Sequence, residues 1–178
     1  RFASPKVAGL LELGTRYGDA YLLRRGMFMP WELPKVMEPD MAREGWRALA
    51  PRLALEATCA RIGPPRLKVG ALETAWYMRN QLLRDSDWAG MAHSLEIRVP
   101  LVDVALLRAV LPLAAGGRPP GKRDMAAAAR PALPEAILGR PKTGFFVPVA
   151  QWLGAPSLRH WARAVHSAWV LPRPPTIG

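Results

Sequence analysis

The stretch Asp87–Asp103, DWAGMAHSLEIRVPLVD, contains the clearest secondary-structure signals of the sequence. Its first part, residues 87–94, has the composition of a short helix. The residue before a proline is pushed out of the α region, so Glu96–Pro100 is predicted to be extended. Asp103 carries a side chain suited to an N-cap and predicts a further helix over residues 104–111. The stretch therefore predicts a helix, a short extended segment and a second helix.

Proline and glycine divide the flanking sequence into short helical pieces, and period-two alternation is almost absent. Ser4 and Pro5 suit the N-cap and first position of a helix that ends at Gly26. Apolar residues spaced by three and four predict an amphipathic helix over 66–83, after which Asp85 or Ser86 would cap the next one. Further helical pieces are predicted at residues 31–35, after Pro39, and at 122–130, 134–138, 148–153 and 156–169. The chain is therefore predicted to be mainly α-helical.

The composition is that of a globular protein with a reducing, cytoplasmic setting. Half of the 178 residues are hydrophobic and 22% are charged, which excludes the profile of a disordered chain. The single cysteine, Cys59, excludes a disulfide scaffold. The longest apolar stretch, residues 99–117, is interrupted by charge and proline, so no transmembrane helix is expected. The basic segment 1–6 lacks the features of a signal peptide, and the chain begins without Met, so we expect it to be a fragment.

The net charge of +11 does not by itself indicate a nucleic-acid binder. Twenty of the 25 basic residues are arginine, and the excess is concentrated in residues 101–178. A protein that reads nucleic acid would present these residues in a run or along one face, with aromatic residues between them. Here they are scattered singly, which favours an anionic small ligand or an acidic neighbour over nucleic acid.

The best local candidate for chemistry is the loop Arg140–Phe146, RPKTGFF. Pro141 restricts the backbone before Lys142 and Gly144 permits an unusual turn after it, so the ammonium group would be presented from a shaped loop. Such a lysine serves as a point charge for phosphate. An ordinary solvated lysine is the alternative. The three histidines are too few and too separated for a metal site.

Two stretches of the sequence resemble, in the same order, two signatures of one known protein family. The stretch Asp87–Asp103 resembles D-R-x-S-M-A-x-S-L-E-x-R-x-P-F-L-D of the glutamine-hydrolysing asparagine synthetases, with Trp88 and Gly90 departing from it. Residues 133–153, LPEAILGRPKTGFFVPVAQWL, resemble the family's L-P-x-x-I-x-x-R-P-K-x-G-F-x-x-P-x-x-x-W-L. The resemblance is specific over residues 87–153 and weaker over 16–34, which is similar to bacterial members.

The resemblance implies that the chain is part of a larger enzyme. Family members have an N-terminal glutaminase domain and a synthetase domain with an adenine-nucleotide α-hydrolase-like α/β core. Their S-G-G-x-D-S and S-G-E-G-x-D-E motifs are missing from this chain. Residues 1–178 would then be the helical C-terminal portion of a synthetase domain whose sheet lies upstream, and residues 170–178 a mobile tail.

The resemblance also implies the reaction: an ATP-dependent ligase converts aspartate, or a related acidic acceptor, to its amide through an acyl-adenylate. Glutamine supplies the ammonia, and the products include AMP and pyrophosphate. In the family's pattern the catalytic lysine falls on Lys142, with Glu96, Arg98 and Arg140 as candidate substrate-binding residues. ATP and Mg²⁺ would be bound mostly upstream. Glu96 and Arg98 can equally form an ion pair that braces the turn at Pro100.

The expected partners are the upstream nucleotide core, the glutaminase domain and small-molecule substrates, with no nucleic acid or membrane. Self-association is expected of the isolated fragment, which should be inactive and should expose apolar surface. Association of the full-length protein into a homo-oligomer is compatible with this interpretation. Two other function classes stay open: a non-catalytic helical interaction module and a basic nucleic-acid binder. No metal ligands are predicted in the chain.

Overall fold

A computed structural model describes residues 5–117, 119–141, 143–144, 148–152, 154 and 156–169. The helices in chain order are α1 Pro5–Ala8, α2 Leu10–Leu13, α3 Tyr17–Arg25, a 3-10 helix Pro30–Lys35, α4 Pro39–Leu49, α5 Pro51–Cys59, α6 Pro65–Leu72, a π-helix Glu73–Leu83, α7 Arg84–Met91, α8 Val104–Ala115, α9 Lys122–Ala127, α10 Glu135–Leu138, α11 Val149–Trp152 and α12 Leu158–Trp169. No strand occurs among the described residues. The prediction of a mainly helical chain is therefore confirmed.

The described residues form two compact units. The first contains the residues up to Ala57 together with those described after Gly144, and the second contains Thr58–Gly144. The buried core of the first unit includes Leu13, Leu23 and Met29. The second has Leu72 and Cys59 as its most deeply buried apolar side chains. None of the described helices combines the length and apolar character that a bilayer-spanning segment requires.

The first predicted helix is interrupted. Instead of one helix up to Gly26, the chain forms α1, α2 and α3, with a bend at residues 14–16. The backbone N–H of Gly14 donates to Leu10 O at 2.9 Å and closes α2. Arg16 is extended, with φ −119° and ψ 146°, so α3 starts afresh at the next residue. The end at Gly26 agrees with the prediction, whereas Ser4 lies outside the described residues.

The junction between α4 and α5 is a sharp turn at a single residue. Ala50 has the left-handed conformation, with φ 39° and ψ 49°, and its N–H donates to Trp46 O at 3.1 Å. Pro51 then begins α5 at once. A left-handed conformation costs an L-residue about 1–2 kcal/mol. This turn lets the first residues of α5 reach the start of α3, as the contacts below show.

In the second unit, α6, the π-helix and α7 run on without a break from Pro65 to Met91. Leu83, which precedes α7, is itself helical, with φ −69° and ψ −43°. The predicted restart capped by Asp85 or Ser86 was therefore wrong, because helical geometry was never lost there. Within the wide π-helix, Trp76 Nε1 donates to Thr58 Oγ1 at 3.0 Å. That bond ties the π-helix to the end of α5.

The predicted start of α8 is confirmed in detail. Asp103 Oδ1 accepts from the N–H of Leu106 at 2.7 Å, which satisfies one of the free donors at the helix N-terminus. The helix continues past its predicted end at residue 111 and includes Pro112. Although proline has no N–H to donate, its carbonyl accepts from Gly116 at 2.9 Å, so the last turn still closes.

The remaining elements are short. α9 ends at Ala127, three residues before the predicted end, while α10 and its following Gly139 agree with the prediction. α11 and α12 lie within the ranges predicted for them. The predicted mobile tail, residues 170–178, lies outside the described residues.

Gly90 has no room for a side chain, although the signature that this stretch resembles has serine there. It is buried in α7, and a Cβ atom would lie 2.6 Å from Leu95 O and 3.2 Å from the side chain of Ile97. We expect Gly90→Ala to lower the free energy of unfolding by about 1–3 kcal/mol, because backbone must move to admit the methyl group.

Gly45 provides the matched control, since it is also helical but has no atom within 4 Å of its Cβ position. Gly45→Ala should raise the free energy of unfolding by about 0.5–1 kcal/mol through helix propensity alone. Urea denaturation of both variants tests this. Equal effects at the two positions would contradict the packing argument.

Candidate functional site

Two of the predicted substrate-binding residues lie in the irregular segment between α7 and α8. Ser94 adopts the left-handed conformation, with φ 56°, and the N–H of Leu95 reaches back to Gly90 O at 2.9 Å. The following residues carry Glu96 and Arg98, whose side chains pair with each other. Arg98 Nη2 lies 3.1 Å from Oε1 and 3.2 Å from Oε2 of Glu96. This is the ion pair that the sequence offered as an alternative to a role in binding substrate.

The Glu96–Arg98 pair is open to solvent. The two side chains are 71% and 81% exposed, so the pair contributes little to stability. Both groups are therefore accessible to a ligand or to another part of the protein.

The loop that carries the third predicted binding residue follows α10. The N–H of Arg140 donates to Ile137 O at 3.3 Å, and its side chain is exposed. Among the described residues it makes no hydrogen bond or ion pair with Glu96 or Arg98. Lys142, the predicted catalytic residue, lies outside the described residues.

A large amount of apolar side chain is exposed along the segment that contains Glu96 and Arg98. Trp88, at 62% exposed, stacks with Arg84, whose guanidinium carbon lies 4.7 Å from the ring centroid. Seven more apolar residues are between 41% and 66% exposed: Met91, Leu95, Ile97, Val99, Leu101, Val102 and Val104. We call these eight residues the exposed apolar segment. Such a concentration marks an interaction surface more often than ordinary protein surface.

The first unit contains a partly buried ion pair that sequence reasoning did not identify. Arg52 Nε and Nη2 each donate at 2.7 Å to one oxygen of the Asp19 carboxylate. The Asp19 side chain is 6% exposed and that of Arg52 is 43% exposed. The hydrogen bonds from Arg52 hold the pKa of Asp19 below its ordinary value, although burial opposes this. Beside this pair, Glu56 Oε2 accepts from the N–H of Gly18 at 3.2 Å.

A second ion pair connects the C-terminal helix α12 to the 3-10 helix. Arg159 donates to the Glu32 carboxylate and, at 2.6 Å, to Met27 O. Its guanidinium lies over the ring of Phe28 at 4.7 Å, and Glu32 Oε2 also accepts from the N–H of Met29 at 2.8 Å. Burial raises the pKa of Glu32, but the bonds from Arg159 and Met29 and the positive charges nearby outweigh it, so the pKa is lowered.

Acid should destabilise the chain through these two carboxylates. Their folded-state pKa values are depressed, so the pairs stabilise the fold above the ordinary carboxyl pKa and lose that contribution as the pH falls through the depressed values. Urea denaturation from neutral pH downward should show a falling free energy of unfolding. The double variant Asp19→Asn, Glu32→Gln should show a flatter profile in acid, and an unchanged profile would contradict this assignment.

The comparisons with known proteins identify the family. The sequence model of the asparagine synthase family matches residues 15–175, which is most of the chain. The chain belongs to the asparagine synthase family. This confirms the resemblance drawn from the two signatures. The family is one of ATP-dependent amide-forming ligases.

Curated relatives support membership of the asparagine synthase family. Proteins of Mycobacterium bovis and Mycobacterium tuberculosis, provisionally named as glutamine-hydrolyzing asparagine synthetases, are 35% identical over 103 residues. The match covers 56% of this chain but 16% of each relative. The chain thus spans a small part of the length of these relatives. No solved structure matches it significantly.

Proposed function

We propose that the chain is the helical C-terminal portion of the synthetase domain of an ATP-dependent ligase. The ligase converts the carboxylate of aspartate, or of a related acidic acceptor, to its amide with ammonia from glutamine. The match of the asparagine synthase family over residues 15–175 carries this proposal. In it, residues 1–178 contribute to one domain with a nucleotide-binding core supplied by other parts of the polypeptide.

The proposed chemistry has two steps. A carboxylate oxygen of the acceptor attacks the α-phosphorus of ATP and pyrophosphate leaves, which gives an acyl-adenylate. Ammonia then attacks the acyl carbon, the bond to the bridging oxygen breaks, and AMP departs with that oxygen. Negative charge develops in both steps, so a cation fixed near the phosphates lowers both barriers. We assign that part to Lys142, with Arg98, Arg140 and Glu96 as the candidate substrate-binding residues of this chain.

We propose that the Mg²⁺ that accompanies ATP is bound mostly by residues upstream of this chain. No group of three or more His, Cys, Asp or Glu side chains that could hold a metal occurs among the described residues. Mg²⁺ is usually bound by one or two carboxylates together with substrate phosphates. In this proposal, carboxylates of another part of the polypeptide bind Mg²⁺ together with the phosphates of ATP.

We propose that the exposed apolar segment is the surface on which the rest of the enzyme packs. Its residues flank and alternate with the solvent-accessible pair Glu96–Arg98 along the chain, so we propose that a domain packed on this segment also lies close to these two charged groups. Burial of apolar area supplies the driving force for such packing. The upstream nucleotide core is the partner that we propose, with the glutaminase domain of the same polypeptide beyond it.

The same apolar surface also suits a non-catalytic helical interaction module. That alternative differs in one consequence, because it predicts no turnover of ATP. The test is to incubate the full-length protein with ATP, aspartate and either glutamine or ammonium, and to assay the amide and AMP. Formation of both in equal amounts supports the ligase, whereas no turnover, or release of ADP in place of AMP, contradicts it.

A further inference from the structure

The first unit contains a cavity that none of the residues proposed for the synthetase reaction lines. It has a volume of about 340 Å³ and lies where the start of α3 meets the end of α4 and the start of α5. This is at the lower end of the size range of small-molecule pockets, about 300–1,000 Å³. Glu96, Arg98 and Arg140 belong to the other unit.

The polar side of the cavity has an excess of available positive charge. Three arginines line it, Arg16, Arg47 and Arg52, together with the carboxylates of Asp19 and Glu56. Both carboxylates face protein donors, because Asp19 accepts two bonds from Arg52 and Glu56 accepts the N–H of Gly18.

The two other arginines are available to a ligand. The side chains of Arg16 and Arg47 make no hydrogen bond or ion pair with any residue that the structure describes, although the charge of Arg16 helps to lower the pKa of Asp19, and both residues are exposed. Each presents a planar fork of donors that can bind a carboxylate or a phosphate through two parallel bonds. The Nη1 group of Arg52 is not used in the bonds to Asp19 and adds a further donor.

The other walls of the cavity are apolar. Trp46, one helical turn before Ala50, lines it from α4, and Pro51 and Leu53 line it from α5. The Leu53 side chain is 73% exposed at this position. An apolar wall that includes an aromatic side chain, combined with a few convergent charged groups, is the usual composition of a site for a small organic ligand.

We propose that this cavity binds a small aromatic anion, in which a carboxylate or phosphate group lies among Arg16, Arg47 and Arg52 and the ring packs against Trp46. The proposal goes beyond the ligase reaction and does not depend on it. Carboxylate and phosphate present the same chemistry to the guanidinium groups, so the head group is decided by experiment.

Isothermal titration calorimetry of the full-length protein tests the proposal with benzoate and phenyl phosphate as probes. We expect saturable binding of at least one probe with one site per chain, and the tighter probe identifies the head group. Inorganic phosphate and benzyl alcohol, which lack the ring and the charge respectively, should each bind at least about tenfold more weakly. Saturable binding of neither aromatic anion would overturn the proposal, as would equal binding of inorganic phosphate or of benzyl alcohol.

Three variants test the location of the site. Arg16→Gln and Arg47→Gln should each weaken binding by about tenfold, the loss expected for one charge-assisted contact. Arg43→Gln is the matched control, because Arg43 lies on the same helix as Arg47 but pairs with Asp40 and does not line the cavity. Equal weakening by Arg43→Gln would mean general attraction by surface charge and would refute the site. Thermal denaturation of each variant establishes that it is folded.

Discussion

Replacing Lys142 by alanine in the full-length enzyme should lower the rate of amide formation by about 10²- to 10³-fold, the effect of losing one preorganised electrostatic donor. In the proposed reaction, the ammonium group meets negative charge that develops mainly in the transition states of adenylation and amide formation. The sequence predicts that Pro141 restricts the backbone before Lys142, whereas Gly144, predicted to permit an unusual turn, has no left-handed φ and no atom within 4 Å of its Cβ position. ATP-dependent AMP release is the measurement.

Three comparisons make the Lys142 prediction specific. Lys142→Arg should rescue poorly, because a planar guanidinium does not replace a compact ammonium. Lys122→Ala removes an exposed lysine at the start of α9 and should leave the rate nearly unchanged. Hydrolysis of glutamine should survive in all three variants. A near-normal rate of AMP release in Lys142→Ala would refute the assignment and leave Lys142 as an ordinary solvated residue.

The second large effect is expected on stability, at the ion pair between α3 and α5. Arg52→Met should lower the free energy of unfolding by about 2–3 kcal/mol, because it leaves the buried Asp19 carboxylate without its two hydrogen bonds. The loss is smaller than for a fully buried pair, since 43% of the Arg52 side chain is already open to water. Urea denaturation at neutral pH is the measurement.

Arg43 again provides a control, for stability in this case. Its pair with Asp40 lies on one face of α4, with side chains 63% and 67% exposed. Arg43→Met should therefore change the free energy of unfolding by no more than about 0.5 kcal/mol. If Arg52→Met proved as mild as Arg43→Met, the Asp19 carboxylate would not depend on Arg52.

The features that sequence reasoning predicted are those that depend on neighbours within about four residues. Asp103 is an example, because an N-cap bonds to a donor three positions away and the pattern is visible in the sequence. The continuous helix through Asp85 was missed because an acidic residue suits both an N-cap and the first turn of a helix. Only the helical backbone of Leu83 shows that no new helix starts there. Local patterns therefore predicted the presence of helices better than their boundaries.

The polar clusters of the first unit could not be predicted in this way. Asp19 and Arg52 are 33 residues apart, and Glu32 and Arg159 are 127 residues apart. No local pattern distinguishes these arginines from the other eighteen. The left-handed turn at Ala50, which directs α5 toward α3, also has no signal, because alanine is not a residue that favours that conformation. The synthetase candidates were found because their order along the chain resembles the family's signatures.

The most direct test of the account follows an oxygen atom from the acceptor to AMP. The full-length protein is incubated with ATP, glutamine and aspartate labelled with ¹⁸O in its side-chain carboxylate, and the AMP is analysed by mass spectrometry. An acyl-adenylate route predicts one ¹⁸O atom in each AMP molecule released, together with formation of the amide. Unlabelled AMP, or amide formed with release of ADP, would contradict the central claim that this chain is part of an adenylating amide ligase.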